Sequence, residues 1–101
     1  MAEFDIGGID DVIHGRIRLG VMAYLANAEV ADFNELKSVL QATQGNLSVH
    51  LRKLEAAGHI AIEKNFLGRK PHTQIRLTAP GRAAFRAYLA AMDGLIGTTR
   101  R

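Results

Sequence analysis

The sequence predicts a mainly α-helical fold with one small antiparallel β-hairpin, an α+β class. Two observations carry this. Apolar residues recur every three to four positions in four separate stretches, the signature of helices buried on one side. In one region only, between residues 60 and 77, that period gives way to strict alternation, the signature of strands.

The first helix is expected to start after Asp10 or Asp11 and to run to about Asn27. Ile13, Ile17, Val21 and the pair Tyr24–Leu25 lie on one face. Asp10 suits its cap, and an acidic start suits the helix dipole. Gly20 costs about 1 kcal/mol against alanine in a helix interior, which points to close packing against another helix. Glu29-Val30-Ala31 reads as a short link or a one-bridge strand. In DFNE, Asp32 caps a second helix and Glu35 stands three residues on, as in a capping box. Phe33, Leu36 and Leu40 form its buried stripe, and Gln41-Ala42-Thr43 makes a tight turn.

Thr43 can cap a third helix over about 44–57. Leu47, Leu51 and Leu54 lie within about 60° of one another on its wheel and face inward. Gly58 ends it in a left-handed conformation. Ile60 and Ile62, then Ile75 and Leu77, alternate with polar or small residues, so FLGRKPHT at 66–73 reads as a hairpin with a long basic tip. Thr78 caps a last helix at about 79–96, with Pro80 tolerated in its first turn. Phe85, Tyr88, Leu89, Met92, Leu95 and Ile96 repeat every three to four residues along it, and GTTRR reads as a frayed tail. At 101 residues, with no internal repeat or low-complexity segment, the chain is expected to be one domain over 1–101: a core of about 10–78 plus the last helix.

Charge is segregated along the chain. Residues 1–43 hold 3 Lys or Arg against 7 Asp or Glu, 44–76 hold 6 against 2, and 77–101 hold 4 against 1. The net +3 therefore understates the basic second half, which suits a polyanionic partner. There is no cysteine, which excludes disulfides and thiolate chemistry and fits a reducing compartment. The acidic N-terminus lacks an apolar segment and does not read as a signal peptide. The apolar run LGVMAYLA is far too short for a membrane span. A soluble, cytoplasmic protein is expected.

Helix, helix, tight turn, helix, basic hairpin is the layout of a winged helix-turn-helix. Anchored by its leucines, a third helix of about 14 residues and about 21 Å can lay its other face in a DNA major groove. Thr43, Gln44, Gly45, Asn46 and Ser48 sit at its N-terminal end, where small side chains and the helix dipole favour close approach to base edges and phosphate. Val49, Arg52 and Lys53 follow on the outward face. His50, at the edge of the leucine stripe, either touches a phosphate or is held inside the domain. On the hairpin, Lys64, Arg69, Lys70, His72 and Thr73 are candidates for the backbone or minor groove, with His72 exposed at the tip. Arg16 and Arg18 either reach flanking phosphates or pair with Asp10, Asp11 or Glu35. His14 and His59 read as structural. Ile13 and Ile17 of the first helix, with the stripe from Phe85 to Ile96, read as a homodimer seam or as the chain's own core; an apolar face this large favours the seam.

The run LSVHLRKLEAAGHI and the following KNFLGRKPHTQIRLTAPGRAAF resemble small winged-helix transcriptional regulators of the MarR/ArsR type, over roughly residues 10–95. Ser48, His50, Leu51, Leu54, Glu55 and Gly58 carry the helix motif. Gly68 to Thr73 match the wing, and Leu77, Thr78 and Gly81 the segment after it. The resemblance implies a sequence-specific DNA-binding homodimer joined through its terminal helices. The sequence departs from the metal sensors of that type. With no cysteine, and with His14, His50, His59 and His72 scattered away from carboxylates at ligand spacing, no metal and no cofactor are expected. An unidentified effector could occupy the wedge between the first and last helices.

Catalysis has little support. No glycine-rich phosphate loop opens a helix, and Ser38 and Ser48 have no base to activate them. The principal rival is a winged-helix protein-interaction module, since fold does not fix function. An RNA-binding role would call for exposed aromatics, and the chain has six aromatics mostly on core stripes.

Overall fold

The computed structural model describes residues 4–99. After a 3-10 turn at Ile6–Gly8, the chain forms α1 (Arg16–Ala28), β1 (Val30–Asp32), α2 (Phe33–Leu40), α3 (Gln44–Ala56), β2 (Ile60–Leu67), β3 (Lys70–Leu77) and α4 (Ala79–Thr99). The strands form one antiparallel sheet in the order β1-β3-β2. This is the expected α+β layout.

The first helix starts later than its apolar period suggests. Asp10 does cap, but what it caps is a single turn. Its Oδ1 accepts the Val12 N–H at 2.8 Å and the Ile13 N–H at 3.2 Å, and the His14 N–H donates to the Asp10 carbonyl at 2.8 Å. The backbone is then extended at Gly15, and α1 begins at Arg16. The break drives Ile13 fully into the core while the Arg18 side chain turns back to donate to the Val12 carbonyl. Periodicity cannot register such a break, because Ile13 keeps its inward direction across it. Gly20 packs where expected: a Cβ there would lie 2.6 Å from Leu40 Cδ2 of α2.

Val30–Asp32 is a true strand, pairing Ala31 with Ile75 at the centre of the sheet. Asp32 caps α2 by accepting the Glu35 N–H at 2.7 Å. The Glu35 carboxylate accepts the Tyr24 hydroxyl, tying α2 to α1. That bond, then burial and the Glu35 charge, holds the Tyr24 phenol above its ordinary pKa. Thr43 caps α3 by accepting the Asn46 N–H at 3.2 Å. Leu47, Leu51 and Leu54 are buried along its inner face. At its end the Gly58 N–H donates to Glu55 and the His59 N–H to Leu54, with Gly58 at φ +83, a Schellman motif.

The hairpin differs from the expected long loose tip. Its ladder continues to the pair Leu67–Lys70, leaving only Gly68 and Arg69 to turn. Gly68, at φ +62, supplies the positive φ that a two-residue hairpin turn needs at its first central position. Pro71 is tolerated because β1 flanks β3 only at Gln74–Arg76, leaving an open edge beyond. Exposed paired strands therefore project past the core. The radius of gyration, 15.3 Å against about 13 Å for a compact chain of this length, reflects that projection and the long α4.

Thr78 joins α4 to the end of α3. Its Oγ1 accepts the Gly81 N–H at 2.9 Å, its hydroxyl donates to the Gly58 carbonyl at 2.6 Å, and its N–H donates to the His59 carbonyl at 3.1 Å. The backbones approach so closely that a Cβ on Gly81 would lie 1.8 Å from the His59 carbonyl oxygen. α4 runs to Thr99, so Gly97, Thr98 and Thr99 of the expected frayed tail are helical. Arg100 and Arg101 of that tail, and Met1, Ala2 and Glu3 of the acidic N-terminus, lie outside the described residues.

The core gathers Ile13, Val21, Met22, Leu25, Leu36, Leu47, Leu54 and Ile75 as its fully buried large side chains. Ile9, Phe85 and Tyr88 join it from the N-terminal segment and α4. The turn at residues 10–14 is bound on two sides. His14 Nδ1 shares a hydrogen bond with the Tyr88 hydroxyl at 2.9 Å, and Asp10 Oδ2 lies 3.4 Å from His59 Nε2. Arg18, expected to pair with a carboxylate or reach phosphate, instead donates from Nη1 to His50 Nδ1 of α3 at 2.8 Å. An arginine only donates, so Nδ1 accepts and the His50 ring is neutral with its proton on Nε2. Burial first, then the charges of Arg18 and Lys53, push the His50 pKa below its ordinary value.

Two predictions follow from these contacts. Gly81→Ala meets backbone that cannot move aside and should lower unfolding free energy by about 3 kcal/mol or more in urea titrations. Gly20→Ala meets only the flexible end of Leu40 and should cost less. The His50 pKa is lower folded than unfolded, so its neutral form contributes stability that is present above about pH 6.5 and lost as pH falls towards the folded value. The fall in Tm between about pH 7.5 and about pH 5.5 should therefore be smaller in His50→Gln than in the wild type.

Candidate nucleic-acid interface

The roll of α3 sorts its residues. With Leu47, Leu51 and Leu54 inward, Thr43, Gln44, Gly45, Asn46, Val49, Arg52 and Lys53 are exposed, and Ser48 is half-buried beside them. A Cβ on Gly45 would meet nothing within 4 Å, so this end of the helix is open to close approach. His50 takes the second of its two expected places, inside the domain against Arg18.

Antiparallel register decides which hairpin residues face α3. Residues directly opposite across a ladder point to the same side. Lys64 pairs with Thr73 and Ile62 with the buried Ile75, so Lys64 and Thr73 continue the face that packs on the core. Between that face, the start of α2 and α3 lies a groove of about 400 Å³, lined among others by Asn34, Gln44, Ser48, Arg52, Lys64 and Thr73. The structure thus brings Arg52 of the helix and Lys64 of the hairpin to one concavity. Arg69 and Lys70 are exposed at the hairpin end. Among the described residues, none of Arg52, Lys53, Lys64, Arg69 and Lys70 stands within ion-pair distance of a carboxylate. Among the described residues the lysine or arginine that is so paired is the exposed Arg76, 3.5 Å from Glu63, while Asp10 and Asp32 lie beside His59 and His72.

His72 is not exposed at a tip. It lies within β3, half-buried, with Nε2 3.7 Å from Asp32 Oδ2 and Nδ1 3.3 Å from Asn65 Oδ1. The two-residue turn leaves it three residues inside the ladder. Asn34 was not anticipated as a groove residue. Its signal is the Asp32 cap, which puts the first turn of α2 wherever β1 meets β3.

The expected seam divides. Ile13, Ile17, Phe85 and Tyr88 are buried in the chain's own core, because the N-terminal turn folds back between α1 and α4. The same turn occupies the wedge expected to receive an effector. Met92 and Leu95 are half-buried, and Leu89 and Ile96 stay exposed along α4. Among the described residues no group of three or more His, Cys, Asp or Glu could hold a metal ion, and no helix is long and apolar enough to cross a membrane.

Residues 17–96 match the family described as winged helix DNA-binding domain. A protein of Methanocaldococcus jannaschii is 36% identical over 78 residues, 77% of this chain and 85% of that one. The fold matches the structure of a transcriptional regulator homologue from Pyrococcus horikoshii with a TM-score of 0.82 and 30% identity, covering 87% of each chain. It also matches a MarR-family transcriptional regulator from Silicibacter pomeroyi, with a TM-score of 0.65 and 20% identity over 87% of this chain and 56% of that longer one. With its helix-turn-helix and hairpin all inside the matched span, the chain belongs to the winged helix DNA-binding domain family.

Proposed function

We propose that the protein is a sequence-specific transcriptional regulator that binds double-stranded DNA as a homodimer. The observation that carries this reading is the division of α3: three leucines fix one face, and the other presents Asn46, Val49, Arg52 and Lys53 beside the Lys64 groove. Among the described residues these cations have no ion-pair partner, which supports a use against phosphate. Each subunit lays residues 44–53 in a major groove, with Asn46 and Arg52 placed for base edges and Val49 for a thymine methyl. The wing, about 66–73, lies along the adjacent backbone or minor groove. The partly exposed stripe on α4, from Leu89 through the half-buried Met92 to Ile96, supplies the seam, and two α3 helices about 34 Å apart read half-sites one turn apart. Similarity to the transcriptional regulator homologue of Pyrococcus horikoshii supports the regulatory role. The reading includes no catalysis, cofactor or membrane, and places the protein in the cytoplasm. An effector, if one acts, shifts the spacing of the two reading helices.

The deciding experiment is selection of bound fragments from genomic DNA by the purified protein. A symmetric enriched motif supports the reading, and no enrichment favours a protein-interaction module. If the dimer neutralises about 6–10 phosphates, affinity for the selected duplex should fall by about 10³–10⁵ between 50 and 200 mM salt. Arg69→Ala should weaken all sequences alike, whereas Arg52→Ala should relax one base position at a cost of about 1–3 kcal/mol. Light scattering should report twice the chain mass of 11.0 kDa, and Leu89→Glu should return it to one.

A further inference from the structure

His50 stands on α3 between the outward residues Val49 and Arg52, but its ring is tied inward. Its Nδ1 accepts from Arg18 Nη1 at 2.8 Å, and Arg18 Nε donates to the Val12 carbonyl, so one guanidinium joins α3 to the N-terminal turn. A guanidinium has no acceptor, so this bond exists only while the imidazole is neutral. Among the described residues Nε2 of His50 has no hydrogen-bond partner and is not buried, since the buried side-chain atoms without a partner are the two nitrogens of His59. The charged groups around the ring are Arg18 of α1 and Lys53 of α3. With Asp11 of the N-terminal turn they line a cavity of about 450 Å³. Ser48 and Arg52 border the hairpin groove, whereas Lys53 and Ala57 border this cavity, so on the helical wheel the two hollows flank α3 on opposite sides.

We propose that His50 links DNA binding to proton uptake: as α3 meets the duplex, the ring takes a proton from solvent at Nδ1, and Arg18 turns from it into the cavity, towards the phosphates. The inference rests on the DNA-binding reading above and gives it a regulatory input, the proton itself. A helix seated in the major groove has a phosphate backbone on each side. The hairpin groove offers Arg52 and Lys64 to one, and the opposite flank offers Lys53 with Arg18 behind it. In the free protein those two cations disfavour a third positive charge on the ring. Phosphates arriving on this flank supply negative charge and reverse that preference. The sign follows. Burial and the charges of Arg18 and Lys53 hold the free His50 pKa below 6.5, and phosphate raises it in the complex. Protons are taken up between these two values, and affinity rises as pH falls through that window. Each subunit contributes at most about tenfold in affinity per pH unit. The cavity gives the displaced guanidinium room, and Arg18 Nε keeps the Val12 carbonyl, so the turn stays anchored.

The test is calorimetry of the full chain with a duplex selected by the wild type, at about pH 6 in cacodylate and in MES, whose heats of ionisation differ. The binding heat of the wild type should differ between the buffers by the signature of net proton uptake. In His50→Gln, whose amide can still accept from Arg18 but does not titrate, that uptake should fall by up to about one proton per subunit. Between about pH 7.5 and about pH 6, wild-type affinity should gain roughly three- to thirtyfold over that of His50→Gln. Equal uptake by wild type and variant overturns the proposal. A second measurement needs no variant: the NMR titration of the His50 ring in the wild type should give a higher pKa on the duplex than free, and an equal or lower value overturns the proposal. Binding of the duplex without proton uptake overturns the linkage alone. Failure of the wild type to bind any duplex at either pH overturns the linkage and the DNA-binding reading together.

Discussion

The packing of Leu47, Leu51 and Leu54 beneath α3 is the constraint on which the rest depends. A helix has one rotational freedom that matters to a reader of DNA, its roll, and three buried leucines on a narrow stripe remove it. Each fully buried leucine contributes about 1.5–3 kcal/mol, so rolling the helix by one residue would forfeit a large share of a small domain's stability. The outward residues are therefore positioned by the core and need no contacts of their own. This is why Arg52 and Lys53 can stand without an ion-pair partner among the described residues at little risk to the fold.

A second set of contacts fixes α3 relative to α4. Arg18 grips both the Val12 carbonyl and His50, Thr78 grips the Gly58 carbonyl, and His14 meets Tyr88. The N-terminal turn thus lies between the helix proposed to read DNA and the helix proposed to pair subunits. Motion of one reaches the other through few side chains, and His50 makes one of those contacts dependent on protonation. Filling of the wedge by this turn also means that an effector acting there would displace Ile9 or Ile13, both buried, and would have to bind tightly enough to offset that exposure.

The helices and their caps were legible in the sequence because they rest on short-range chemistry. Asp32, Thr43 and Thr78 cap the helices that follow them, and Gly58 takes the left-handed conformation that its place after a leucine stripe demands. What could not be read depends on contacts distant along the chain. The late start of α1 follows from Arg18 reaching back to Val12. The burial of Phe85 and Tyr88 follows from the N-terminal segment crossing α4. The long hairpin ladder was hidden by Pro71 and the basic residues, which resemble a loop until the register shows Gly68 and Arg69 to be the whole turn. The outward face of α3 was legible in full, because a leucine stripe defines its opposite. The groove was only half legible: Lys64 and Thr73 join it through pairing register, and His72 lines it from inside the ladder beside Asp32 rather than from an exposed tip.

The hairpin shows how much of this molecule is shaped by something other than folding. From Glu63 to Lys70 every residue is exposed, so this length of ladder buries almost nothing in return for the conformational entropy of ordering it. A domain seeking only stability would end β2 near Ile62 and turn there. The extension is maintained by its tight Gly68 turn and cross-strand pairing, and it sets Lys64, Phe66 and Arg69 out from the core in a line. Such a marginal element gains most from a partner that covers it, because binding then supplies the burial that folding does not. Hydrogen-exchange protection in the free protein should accordingly be weakest there, and binding should change it most in the part of the chain that the core holds least.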